Sequence, residues 1–157
     1  MINGSMTRCL ILALGADHGG LALKTRLAAA LVEAGHEVRD YGTDGSASVD
    51  YPDFAQVVCA AVVEKQVDFG VLVCGTGIGM SIAANRHPGI RCGLVHDVTT
   101  ARLTRAHNDA NVLALGARII GEEVALDILS TFLTTKFEGG RHQRRIDKLN
   151  QITETTP

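Results

Sequence analysis

The chain has 157 residues, is 46% hydrophobic and 4% aromatic with no Trp, and carries a formal net charge of −2. Such a length makes one domain able to bury a core without staples, and the near-neutral charge excludes a general attraction to nucleic acid or acidic membranes. No apolar run approaches the roughly 20 residues of a membrane span.

Taken in order, Met1 to Ser5 read as an expression scar ahead of Met6, and the N-terminus lacks the charged, apolar and cleavable segments of a signal peptide. Cys9 to Leu14 form an apolar run, as expected of a strand buried on both faces. A helix follows Gly15-Ala16-Asp17-His18-Gly19-Gly20, with Leu23, Leu27 and Leu31 on one stripe and Gly35 as its C-terminal stop. His36 to Tyr41 read as a second strand, and Gly42 to Pro52 as the longest polar loop. Asp53, with Gln56 three residues on, predicts a capping box for a helix reaching about Lys65. Phe69 to Val73 is strand three, leading through Cys74-Gly75-Thr76-Gly77-Ile78-Gly79 into a short helix at Ala83 and Ala84. Cys92 to Val95 is strand four, and Asp97 caps the next helix. Val112 to Leu115 is strand five, and Gly121 opens a helix to about Thr135. Arg141 to about Asn150 is a basic segment of mixed helical character, and 153–157 are expected to be a frayed tail.

Five β-α units with short connections predict a single domain over 6–152. Its class is α/β, a three-layer α/β/α sandwich around a five-stranded parallel sheet. Ligands in such folds collect where the strands end. Asp17-His18, the Cys74 loop, His96-Asp97 and Gly116-Ala117-Arg118 all follow strands, so one rim should carry them.

Cys9, Cys59, Cys74 and Cys92 form no C-x-x-C pair, zinc knuckle or disulfide pattern, which points to a reducing cytosol. Only Cys74 ends an apolar run beside a glycine loop, facing a helix N-terminus, a setting that favours the thiolate. The alternate glycines suit an anion, either a phosphate or an oxyanion formed during reaction; the same spacing also makes an unliganded tight turn. Asp17 reads equally as a helix cap or as a ligand for a sugar hydroxyl. His107 ends helix four, where it is a proton-exchanging group or simply a helix-terminal cation. Arg141 and Arg145, four apart, share a helical face that could grip one phosphate; the alternative is a solvated basic tail. No H-E-x-x-H spacing suggests a metal.

Together these segments resemble the ribose-5-phosphate isomerase B family, which includes galactose-6-phosphate isomerase subunits. The resemblance rests on Asp17-His18-Gly19-Gly20, Asp50-Tyr51-Pro52-Asp53, Cys74 to Gly79 with Ser81 to Asn85, His107 to Val112, and Gly139-Gly140-Arg141-His142-Gln143-x-Arg145. It implies a Rossmann-like fold and a cofactor-free, metal-free aldose–ketose isomerisation in a homodimer or tetramer with a site shared between subunits. Cys74 would take the C2 proton, with Asp17, Thr76 and His107 assisting ring opening and proton movement. The loop Gly75, Gly77, Ile78 and Gly79 would face the enediolate. His18, Arg118, Arg141 and Arg145 would hold the phosphate, and Tyr51 and Asn108 would touch the sugar. The resemblance brings His107, Asn108 and Arg118 from the neighbouring subunit. Ribose 5-phosphate is the leading substrate; tetrose 4-phosphate, allose 6-phosphate and galactose 6-phosphate are alternatives, and a non-catalytic sugar-phosphate sensor is the alternative of another class. Loop 43–48 has no counterpart in the shared motifs.

Overall fold

The computed structural model describes residues 8–154; the expectations for Met1–Ser5 and for 155–157 lie outside the described residues. The elements are β1 (Ile11–Ala16), α1 (Leu21–Glu33), β2 (Glu37–Asp40), α2 (Tyr51–Val63), β3 (Phe69–Cys74), α3 (Ile78–Ala84), β4 (Cys92–Leu94), α4 (Val98–Asn108), β5 (Val112–Gly116), α5 (Glu122–Thr134) and α6 (Arg141–Glu154).

All strand pairs are parallel, in the order β2-β1-β3-β5-β4. The apolar runs at β1, β3 and β5 occupy the centre, where both faces must be covered. Alternation along them divides the core in two. Leu12, Leu14, Val71, Val73, Leu113 and Leu115 face α1, α4 and α5, while Ala13, Leu72, Cys74, Val112 and Ala114 face α2 and α3. Leu27 and Leu31 close α1 onto the first face, both essentially without exposure. Each such leucine contributes roughly 1.5–3 kcal/mol, so truncating Leu27 would loosen α1 first.

Local chemistry explains the boundaries. The N–H groups of Gly35 and His36 donate to the Val32 and Leu31 carbonyls, both at 3.0 Å, closing α1 as a Schellman turn. The Asp97 carboxylate accepts from the Thr100 N–H at 2.8 Å, the expected cap of α4. The capping box predicted at Asp53 does not form: α2 begins at Tyr51 with Asp50 at the N-cap, and Asp53 lies in the first turn. Pro52 accounts for this, because its fixed φ starts the helix ahead of Asp53. β1 starts at Ile11, not Cys9, and α6 continues to Glu154, past the expected end near Asn150.

Candidate active site

Strand direction builds the rim. The loops after β1 and β5 lead to helices on one face, and the loop after β3 leads to α3 on the other. β3 lies between β1 and β5, so Cys74 stands between two reversals of this kind, where α/β folds open a crevice. Cys74 is buried opposite Gly116 of β5. The Gly77 N–H donates to its Sγ at 3.1 Å, holding the sulfur inside the turn. Gly77 has φ +77°, a left-handed conformation that makes the turn tight enough for this contact. Thr76 is exposed and its Oγ1 accepts from the Ile78 N–H at 3.3 Å, leaving its hydroxyl proton available.

Three other segments crowd the loop. Asp17 accepts through Oδ1 from the N–H groups of Gly19 (2.9 Å) and Gly20 (3.1 Å), so its carboxylate fixes the turn; the N-cap of α1 is Gly20. A methyl placed on Gly19 would lie 3.4 Å from the Gly75 nitrogen, so the first and third loops touch. The Arg118 side chain lies over Gly75 of the same chain, its Nε 3.4 Å from where a Cβ would be. This corrects the expectation that Arg118 arrives from a neighbouring subunit: β5 adjoins β3, so their C-terminal loops are neighbours. The Tyr51 ring covers Gly79, where a Cβ would sit 2.7 Å from Cζ. His18 is exposed, and its Nδ1 accepts from the Val49 N–H at 3.3 Å. That bond places the ring proton on Nε2 and ties loop 43–50 to the rim.

The remaining expected residues lie elsewhere. α4 runs antiparallel to the strands, so His107 and Asn108 fall at the N-terminal edge of the sheet. From Val112 to Gly116, β5 spans about 13 Å, which separates the two ends. Asp109 ends α4 at φ 44°, bonded through Oδ1 to Arg105 Nη1 at 2.7 Å and through Oδ2 to Arg91 Nη2 at 3.2 Å. Arg105 is itself buried and stacked over Phe69 and Phe132, which fixes the end of α4 in the core. Beside it, the His107 and His142 rings stack with centroids 4.3 Å apart and planes 10° from parallel. Glu138 Oε2 lies 3.9 Å from His107 Nε2 and 3.4 Å from His142 Nε2. Arg141 and Arg145 are exposed on the first turns of α6 and both act electrostatically on His142. Within one chain the expected site residues therefore fall into two groups at opposite edges of the sheet. Asp17, His18, Tyr51, Cys74 to Gly79 and Arg118 form one; His107, Asn108, Arg141 and Arg145 form the other.

Burial sets the state of several groups. It is the main cause holding His142 below the ordinary histidine value, followed by the charges of His107 and Arg141; Glu138 opposes them. Burial also pushes Cys59 up to about 12, and raises Cys92 with Cys59 as a second cause. Those two thiols stay protonated at neutral pH and are poor nucleophiles. His107, Glu138 and His142 offer three ligand atoms within 4.8 Å. However, the lone pairs of two stacked rings lie in separate, nearly parallel planes, so one ring must turn before both could meet an ion. Two cavities of about 430 and 410 Å³ lie apart from the Cys74 rim, the first beside Asn108 and the C-terminal part of α6. Sequence reasoning gave Glu138 and His142 no role. Their spacing of four was the available signal, but only the meeting of α6 with α4 gives it meaning.

The fold and rim define a doubly wound α/β protein whose binding edge carries a thiol over a glycine turn. The chain belongs to the ribose/galactose isomerase family, whose family model matches residues 12–149. It is 47% identical to ribose-5-phosphate isomerase B of Escherichia coli over 143 residues, covering 91% of this chain and 96% of that protein. The ribose-5-phosphate isomerase B structure from Clostridium thermocellum superposes with TM-score 0.92 at 48% identity, covering 92% of this chain and 98% of the other. That of Mycoplasma genitalium, described with bound ribulose 5-phosphate, gives TM-score 0.89 at 40% identity, covering 93% and 97%.

Proposed function

We infer that this chain is an aldose–ketose isomerase interconverting ribose 5-phosphate and ribulose 5-phosphate. The observation that carries the reading is Cys74, held by the Gly77 N–H at the end of β3 between the Asp17 turn and Arg118. The near-full-length similarity to isomerases of this pentose phosphate supports the substrate. A general acid/base opens the sugar ring. Cys74 then removes the C2 proton and returns it to C1 through a cis-enediolate. The enediolate is the costly species, and donors fixed before the reaction lower its energy most. The N–H groups of the loop Gly75 to Gly79 that are not held by Cys74 and Thr76 serve as these donors, and Thr76 adds a hydroxyl. Asp17 and His107 exchange protons with the sugar oxygens during ring opening. His18, Arg118, Arg141 and Arg145 bind the phosphate, whose binding energy positions the reacting carbons. Tyr51 and Asn108 border the sugar.

The two groups at opposite sheet edges favour a homodimer in which each site joins the Cys74 rim of one subunit to the His107–Arg141 end of the other. A cytoplasmic location suits this metabolic role and the four free thiols; among the described residues no helix is long and apolar enough to cross a membrane.

Cys74→Ala tests the assignment. It should lower turnover of ribose 5-phosphate by roughly 100- to 10,000-fold while the chain stays folded, and near-normal turnover would remove Cys74 as the base. Mixed dimers of Cys74→Ala and His107→Ala chains should regain activity that neither variant has alone. Comparing kcat/KM for pentose, tetrose and hexose phosphates checks the substrate.

A further inference from the structure

The ring-opening role proposed for His107 leaves its neighbour His142 without a task. His142 is 5% exposed, although it lies between the exposed Arg141 and Gln143. With Ile146, one turn on and also buried, it forms the inward face of α6. Packing alone would be met there by leucine or phenylalanine, and an imidazole is costly to bury without a partner. Its partner is Glu138, whose carboxylate faces the Nε2 edges of both stacked rings.

The backbone is arranged to deliver this contact. The Glu138 N–H donates to the Ala106 carbonyl at 3.0 Å, fastening the segment before α6 to the end of α4. Gly139 and Gly140 both have positive φ, +67° and +56°, and turn the chain so that His142 lands on the His107 ring. Because burial holds His142 neutral at pH 7, it can stack on His107 in either protonation state without meeting a second charge. His107 is otherwise 37% exposed, and an imidazole at a helix end would rotate freely without such a surface.

We propose that His142 and Glu138 are positioning residues for ring opening: the buried ring and the carboxylate fix the orientation of the His107 imidazole. This rests on the isomerase reading, and the test separates the two. Ribulose 5-phosphate has its C5 oxygen phosphorylated and cannot close to a furanose, so exchange of its C1 proton in heavy water needs Cys74 but no ring opening. Ribose 5-phosphate is mostly cyclic and needs both steps.

His142→Ala should lower saturated turnover of ribose 5-phosphate by roughly 10- to 100-fold, the scale of a misplaced catalytic group. C1 exchange at saturating ribulose 5-phosphate should stay within about threefold, the small change expected when the base is untouched. His142→Phe, which keeps the stacking ring but loses the Nε2 that faces the Glu138 carboxylate, should restore thermal stability but not turnover, and Glu138→Gln should show the same selective loss with a milder size. If exchange falls in parallel with turnover in folded variants, or if His142→Phe and Glu138→Gln both turn over ribose 5-phosphate normally, the positioning role is wrong. If the unaltered protein neither turns over ribose 5-phosphate nor exchanges the C1 proton, the isomerase reading itself fails.

Discussion

Gly116→Ala isolates the geometry of the Cys74 loop without touching a reacting group. Gly116 ends β5 directly opposite Cys74, and its φ is one that alanine adopts, so the effect is steric. A Cβ there would lie 2.5 Å from the Thr76 carbonyl oxygen and 2.6 and 2.8 Å from its carbonyl carbon and Cα. Ordinary contact begins near 3.4 Å, so Thr76 must retreat by about 0.9 Å. The obstacle is backbone, so no rotamer change can relieve it. Overpacking of this kind costs about 1–3 kcal/mol, a fall in Tm of roughly 2–12 °C for a chain of this size. Thr76 lies two residues after Cys74, and a shift near 1 Å at a catalytic loop costs on the order of 100-fold in rate. Calorimetry and steady-state kinetics on ribose 5-phosphate measure both effects. Gly121→Ala is the control, because among the described residues nothing lies within 4 Å of its Cβ position. If Gly116→Ala kept kcat/KM within about twofold of the unaltered chain, the loop would not be held as tightly as this reasoning requires.

Further tests address the core. Lys24 is 2% exposed and pairs with Asp40 at 2.5 Å, while Asp40 is 46% exposed. Asp40→Asn leaves a buried ammonium unpaired and should destabilise more than Lys24→Met, which removes the charge at similar volume. The loss for Asp40→Asn should stay below the roughly 3–5 kcal/mol of fully buried pairs, as read from urea midpoints. Cys59 binds its proton more tightly folded than unfolded, so its contribution to stability is complete below pH 9 and is lost as pH rises toward 12. The stability advantage of the unaltered chain over Cys59→Ala should therefore shrink between pH 8 and 10.5, and a constant difference would contradict this. At pH 8, thiol reagents should leave Cys59 and Cys92 unmodified in the folded chain, as peptide mass mapping would show.

Local rules made much of the chain readable. Continuous apolar runs at Cys9–Leu14, Phe69–Val73 and Val112–Leu115 announced a parallel sheet because strands covered on both faces have no polar side. Turn chemistry located Asp97 as a cap and the Cys74 loop as a strand-to-helix turn, since both depend on residues only a few positions apart. The one capping error, Asp53 in place of Asp50, came from giving a carboxylate priority over the fixed φ of Pro52.

The Cys74 loop was thus marked by sequence alone, as were the shared helical face of Arg141 and Arg145 and the position of His107 at the end of its helix. Their grouping was decided by tertiary structure. Strand order puts β5 beside β3, so Arg118 meets Gly75 within one chain. Helix direction sends His107 to the far edge, where α6 brings His142 and Glu138 against it. Residue type and short spacing reflect chemistry within a few bonds of the backbone. Which loops share an edge depends on nonlocal strand pairing, and no local pattern encodes it.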